Sequence, residues 1–136
     1  MNATKIAPGI RIDSPSITHL NADTSWLIQL PWPSTLSAPS TRYFYNILLD
    51  PWFRGTQSDV ASFFSTQEHI TPSSVQTIDE LNSILCGVQN AAAAQFDGRR
   101  ISEEQNISFI DLVVISHEFT DHCEKSSLAF AFEIHI

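Results

Sequence analysis

The residues best equipped for chemistry are crowded into Ser116-His117-Glu118-Phe119-Thr120-Asp121-His122. Imidazole nitrogen and carboxylate oxygen are donors that suit borderline divalent cations such as Zn²⁺. His117, Asp121 and His122 are therefore the candidate metal ligands. Glu118 lies one position off that set and reads as a solvated carboxylate. Cys123 follows directly; thiolate binds zinc well, but a buried inert thiol is the commoner role for such a residue. The same residues admit a plainer reading. Aspartate is among the best helix N-caps, so Asp121 could open a helix near His122 with no metal involved. His19, His69 and His135 have no partner that the sequence identifies.

A ligand loop needs a rigid element behind it. Residues 109–115, Phe-Ile-Asp-Leu-Val-Val-Ile, are almost continuously apolar, as a strand buried on both faces would be. Such a strand ending at Ser116 could aim the loop at one point. Upstream, the Asn21-Ala22-Asp23 turn signal within residues 17–30 predicts a hairpin. The proline-, serine- and threonine-rich residues 31–41 predict a loop. Residues 43–49 predict a second strand, broken by Pro51. Thr77-Ile78-Asp79-Glu80 has the form of a capping box. Ile78, Leu81, Ile84, Leu85 and Val88 then recur at helical spacing. Gly87 weakens that helix, and Ala91 to Ala94, a bland spacer, can extend it until Asp97-Gly98. No internal repeat is visible.

The chain has 136 residues, enough for one domain with a core of its own, and its hydrophobic content of 43% is that of a globular protein. Seven basic residues stand against fifteen acidic ones, a net charge of −8, and the basic residues are scattered. This excludes the clustered Lys and Arg that a nucleic acid or an anionic membrane demands. No stretch approaches the roughly 20 apolar residues of a membrane span, and no apolar leader is visible near Met1. Two cysteines without an export signal predict reduced thiols and a cytoplasmic location.

The order of the pieces is more specific than any one of them. A hairpin containing Thr18-His19-Leu20-Asn21-Ala22-Asp23-Thr24-Ser25-Trp26 comes first, then a strand ending in Asp50-Pro51-Trp52. The strand that runs into Ser116-His117-x-x-x-Asp121-His122 follows. From about Ile17 to Leu128 this resembles the metallo-β-lactamase superfamily and its His-x-His-x-Asp-His signature. Phe119 departs from the pattern, standing where the family has its second histidine.

The resemblance implies an α/β fold, the amino-terminal half of an αββα sandwich, with residues 1–16 as an extension and 17–136 as a partial domain. It implies a hydrolase in which zinc lowers the pKa of a bound water to about 7. The resulting hydroxide attacks an ester, lactone, thioester, amide or phosphoester of a small-molecule substrate. In that scheme His117 serves one metal, while Asp121 and His122 serve a second. Asp121 is the candidate catalytic residue, able to orient the water or shuttle its proton. Asp50 corresponds to an outer aspartate that supports the metal loop and fixes the tautomer of a ligand histidine.

The apolar residues 129–136 and the absence of counterparts to the family's later ligands read as a truncated gene product. Zinc would then be weakly held and activity impaired or lost. The alternatives are a non-catalytic fragment that self-associates through an exposed sheet edge, or an unrelated small α/β domain.

Overall fold

In the computed structural model, residues 11–32, 42–58, 66–96 and 107–116 are described. Four strands among them, β1 (Ser16–His19), β2 (Trp26–Pro31), β3 (Phe44–Leu49) and β4 (Leu112–Val114), form one sheet in the order β1-β2-β3-β4. The first two pairings are antiparallel and the third is parallel. A parallel pair requires a crossover connection, and helix α1 (Ile78–Phe96) lies within it. The fold is mixed α/β, as expected. No helix of the described residues is long and apolar enough to cross a membrane.

The predicted hairpin forms because Asn21 makes the turn. Its Oδ1 accepts the amides of Asp23 (3.1 Å) and Ser25 (3.0 Å), a side-chain substitute for a backbone turn. Pro31, expected in the following loop, instead closes β2 opposite Phe44. A strand end tolerates proline because no further ladder amide is needed there.

Helix α1 starts where its cap predicts. Thr77 Oγ1 accepts the amide of Glu80 at 3.0 Å, and the Glu80 carboxylate reaches back to the amide of Gln76 at 2.8 Å. Leu81, Leu85, Val88, Gln89, Ala92 and Ala93 form its fully buried stripe. Within the alanine run, expected to be a bland spacer, Ala92 and Ala93 belong to the core while Ala91 and Ala94 are exposed. Side chains that small let the helix come close to what it covers, and Ala93 is only 1% exposed.

Alternation along β2 and β3 sends Leu27, Phe44 and Leu48 to the buried side, in one cluster with Leu81, Leu85, Val88 and Ala92. Each such leucine contributes about 2 kcal/mol by leaving water. Gln29 and Asn46, on the same side, are buried too. The opposite face carries a register-matched apolar row across all four strands: Ile17 beside Ile28, Ile28 beside Ile47, Ile47 beside Leu112. Ile17 is 67% exposed.

The last strand departs from expectation. Pairing covers only Leu112–Val114, and Leu112 and Ile115 are 43% and 39% exposed, so the segment is not buried on both faces. Side chains alternate here as well. Val113 turns toward the core cluster, while Leu112 joins the outer row. Phe109 and Ile110 are buried before the strand begins.

Candidate functional site

Register places four chain ends together. His19 pairs with Trp26, Trp26 with Leu49, and Leu49 with Val114. The ends of β1, β3 and β4 and the start of β2 therefore share one edge of the sheet, the edge where open α/β sheets carry their ligands. The shared pattern of an apolar run followed by a polar loop predicts that residues 45–49 and 112–115 are adjacent buried strands; they are adjacent, but pairing ends at Val114 and the second strand is only half-buried.

Asp50 organises this edge. It leaves β3 with a φ of +48°, a conformation that aspartate tolerates better than most side chains, and is only 3% exposed. Its amide donates to Val114 O at 2.9 Å, extending the β3–β4 ladder by one bond. Its carboxylate accepts twice from Ser116: Oδ1 from the amide at 2.7 Å and Oδ2 from the hydroxyl at 2.5 Å. Bonds to an ionised carboxylate are about twice as strong as neutral ones. A buried carboxyl group thus pins Ser116, the residue from which the chain continues into His117.

The hairpin turn is tied to the same place. Ser25 Oγ donates to Asp50 O at 2.6 Å and accepts the amide of Trp52 at 3.0 Å. Asn21 Nδ2 donates to Trp52 O at 2.8 Å. The backbone of residues 50–52 is thus bonded from the β2 side by Ser25 and Asn21. Neither residue stands out in the sequence beyond its turn signal.

Two further histidines stand at this edge. The His19 ring stacks on Trp26, with centroids 4.0 Å apart, and its Nε2 lies 2.7 Å from Asp23 O. His69 packs against the Trp52 ring, also at 4.0 Å, with Nδ1 3.8 Å from Asp23 Oδ2. Its side chain is 9% exposed, and its Nε2 is buried without a hydrogen-bond partner among the described residues. The sequence holds no sign of this arrangement, because Asp23, Trp52 and His69 meet only through the sheet register and the loop beyond Trp52.

His117, Asp121 and His122, with Glu118, Phe119 and Cys123, lie outside the described residues, as does His135. Among the described residues no three His, Cys, Asp or Glu side chains gather into a metal-binding group. The donor types still fit zinc. The imidazoles of His117 and His122 and the carboxylate of Asp121 are borderline ligands. Comparison with protein-family models, with characterised proteins and with solved structures finds no match to this chain.

Proposed function

We propose that this chain is the amino-terminal half of a metallo-β-lactamase-like αββα domain, and that its ancestral chemistry is zinc-dependent hydrolysis. The observation that carries the reading is the clamp of Asp50 on Ser116. It joins two separate parts of the resemblance, the strand that ends in Asp-Pro-Trp and the strand that runs into Ser-His-x-x-x-Asp-His. Support also comes from the apolar row Ile17, Ile28, Ile47 and Leu112, which suits the face that a sandwich packs against its second sheet.

In this reading His117, Asp121 and His122 hold zinc, and Asp50 fixes the base of their loop through Ser116. Bound zinc would supply an activated water at neutral pH. Asp121 would orient that water or carry its proton. Phe119 offers no lone pair, so the 136-residue chain alone is expected to be impaired or inactive toward small esters, lactones and β-lactams.

Zinc or cobalt titration of the purified chain tests this. Chelator-reversible binding that is lost in His117→Ala and in His122→Ala is the expected result. Binding unchanged by those substitutions, or no binding, would remove the metal from the reading. Exposed Ile17 on edge strand β1 favours a second reading, a non-catalytic chain that self-associates along its sheet. Metal-independent dimers dispersed by Ile17→Lys would support it.

A further inference from the structure

The polarity of the sheet is the reverse of what a water-facing sheet requires. An antiparallel sheet with one solvated face turns its polar residues outward. Here the register puts Ser16, Thr18, Gln29 and Asn46 on the side of the core cluster, and the opposite side is apolar. Ile17, Ile28, Ile47 and Leu112 form the central row of that side, flanked on β2 by Trp26 and Leu30. The chain carries a net charge of −8, yet no residue of the four strands is Asp, Glu, Lys or Arg. Covering this face therefore strips water from no ion. Ile17, Leu30 and Leu112 remain 67%, 36% and 43% exposed in the folded chain. A contiguous apolar patch of this kind marks an interaction surface.

The row also matches itself. Its open residues stand at the two ends, Ile17 on β1 and Leu112 on β4, with half-buried Ile28 and Ile47 between them. A twofold axis parallel to the strands, between β2 and β3, sets Ile17 of one copy against Leu112 of the other and Ile28 against Ile47. No polar group then opposes an apolar one along the row. A membrane surface fits less well, because the strands offer no Lys or Arg to the headgroups.

We propose that this face packs against the same face of a second copy, giving a twofold dimer with the layers helix, sheet, sheet, helix. The proposal deepens the half-domain part of the proposed function and is independent of its metal. Four strands about 4.8 Å apart and about five residues of 3.4 Å each give on the order of 300 Å² per copy, measured flat. Stable interfaces bury about 800 Å² per partner, so this pairing is weak and concentration-dependent.

Sedimentation equilibrium of the 136-residue chain, in chelator and again with zinc, tests the pairing. Dimers should form equally in both. Ile28→Thr and Ile47→Thr keep a β-branched side chain suited to a strand and should weaken association at least tenfold. Ile70→Thr, at a fully exposed loop position, should leave it within twofold. Methyl spectra of the unaltered chain need no substitution to fold. As concentration rises, the Ile17, Ile28 and Ile47 signals should shift while those of Ile70 and Ile84 stay in place. A mixture of differently labelled copies should show Ile17 of one copy near Leu112 of the other. A chain still monomeric at about 1 mM, where association is worth only about 4 kcal/mol, would overturn the proposal. Flotation of that monomer with phosphatidylcholine vesicles would give the face to lipid instead. Dimers that survive both threonine substitutions, with the three methyl signals unmoved, would also overturn it and assign association to the β1 edge. Neither result bears on zinc binding by the His117 loop. Failure to bind zinc, with the dimer retained, would strike the metal and leave the pairing.

Discussion

Two buried polar clusters occupy the same strands and behave differently. Toward the start of β3, Gln29 Nε2 donates to Asn46 Oδ1 at 3.0 Å, and Asn46 Nδ2 donates to Phe109 O at 2.7 Å. Asp111 takes the amide of Asn46 at 2.7 Å and pairs with Arg42, which also donates to Ser108 O. Gln89 on α1 accepts the amide of Tyr43 at 2.9 Å and donates to Phe44 O at 3.4 Å. Each of these side chains bonds a different segment, so the cluster stitches β2, β3, α1 and the entry to β4 together. At the other end of β3, Asp50 is held at positive φ and His69 keeps a nitrogen with no described partner. Polar capacity spent inside the fold is structural; polar capacity left over in a buried place marks where a ligand is to be sought.

The largest effect expected is at Asn46. Asn46→Ala leaves Gln29 Nε2 and Phe109 O buried without their partner, at about 1–3 kcal/mol for each such group. Urea unfolding should show a loss of about 3 kcal/mol, while zinc affinity of the protein that remains folded stays unchanged. A shift in zinc affinity would break the division between the two clusters.

Asp50→Asn comes next. Asparagine also tolerates positive φ, so the backbone can stay as it is while the charge is lost. One amide hydrogen then confronts the donors of Ser116, and a loss of about 2 kcal/mol is expected. Here zinc affinity should fall as well, by about tenfold, as happens when support behind a ligand is removed. Ser116→Ala is the milder version: it removes only the 2.5 Å hydroxyl bond and keeps the amide, for about 1 kcal/mol. If Ser116→Ala costs as much as Asp50→Asn, the hydroxyl and not the anion holds the loop.

Much of the frame is legible in the sequence because it depends on local pattern. The hairpin follows from Asn21, α1 from Thr77 and the spacing of Leu81, Leu85 and Val88, and the adjacency of β3 and β4 from two apolar runs with polar ends. What escapes depends on long-range register. Gln29 and Asn46 look like exposed polar residues until the sheet sets them side by side. His69 is a lone histidine in a loop until Trp52 and Asp23 close on it. The outer exposure of Leu112 escapes for a related reason, since an apolar run does not reveal that its alternate side chains turn away from the helix-covered face.

The smallest effect separates burial from ion pairing within the structural cluster. Burial pushes the Asp111 carboxyl up from its ordinary 3.8, against the Asn46 amide and the Arg42 guanidinium, which pull it down. A carboxyl that is less acidic in the folded chain binds more protons there than in the unfolded chain. Stability then falls as pH rises through the window between 3.8 and the raised folded value. Below that window both states are protonated and the penalty is gone; above it the penalty is complete. Asp111→Asn removes the titration while keeping an oxygen for the Asn46 amide, so the difference between the two proteins isolates this one group. Wild type should lose ground to Asp111→Asn as unfolding is followed from below pH 3.8 toward neutrality. Each unit of difference between the folded and unfolded pKa corresponds to about 1.4 kcal/mol. The opposite slope would mean that Arg42 outweighs burial, and the ion pair would then be a net stabilising contact that links the entry of β3 to that of β4.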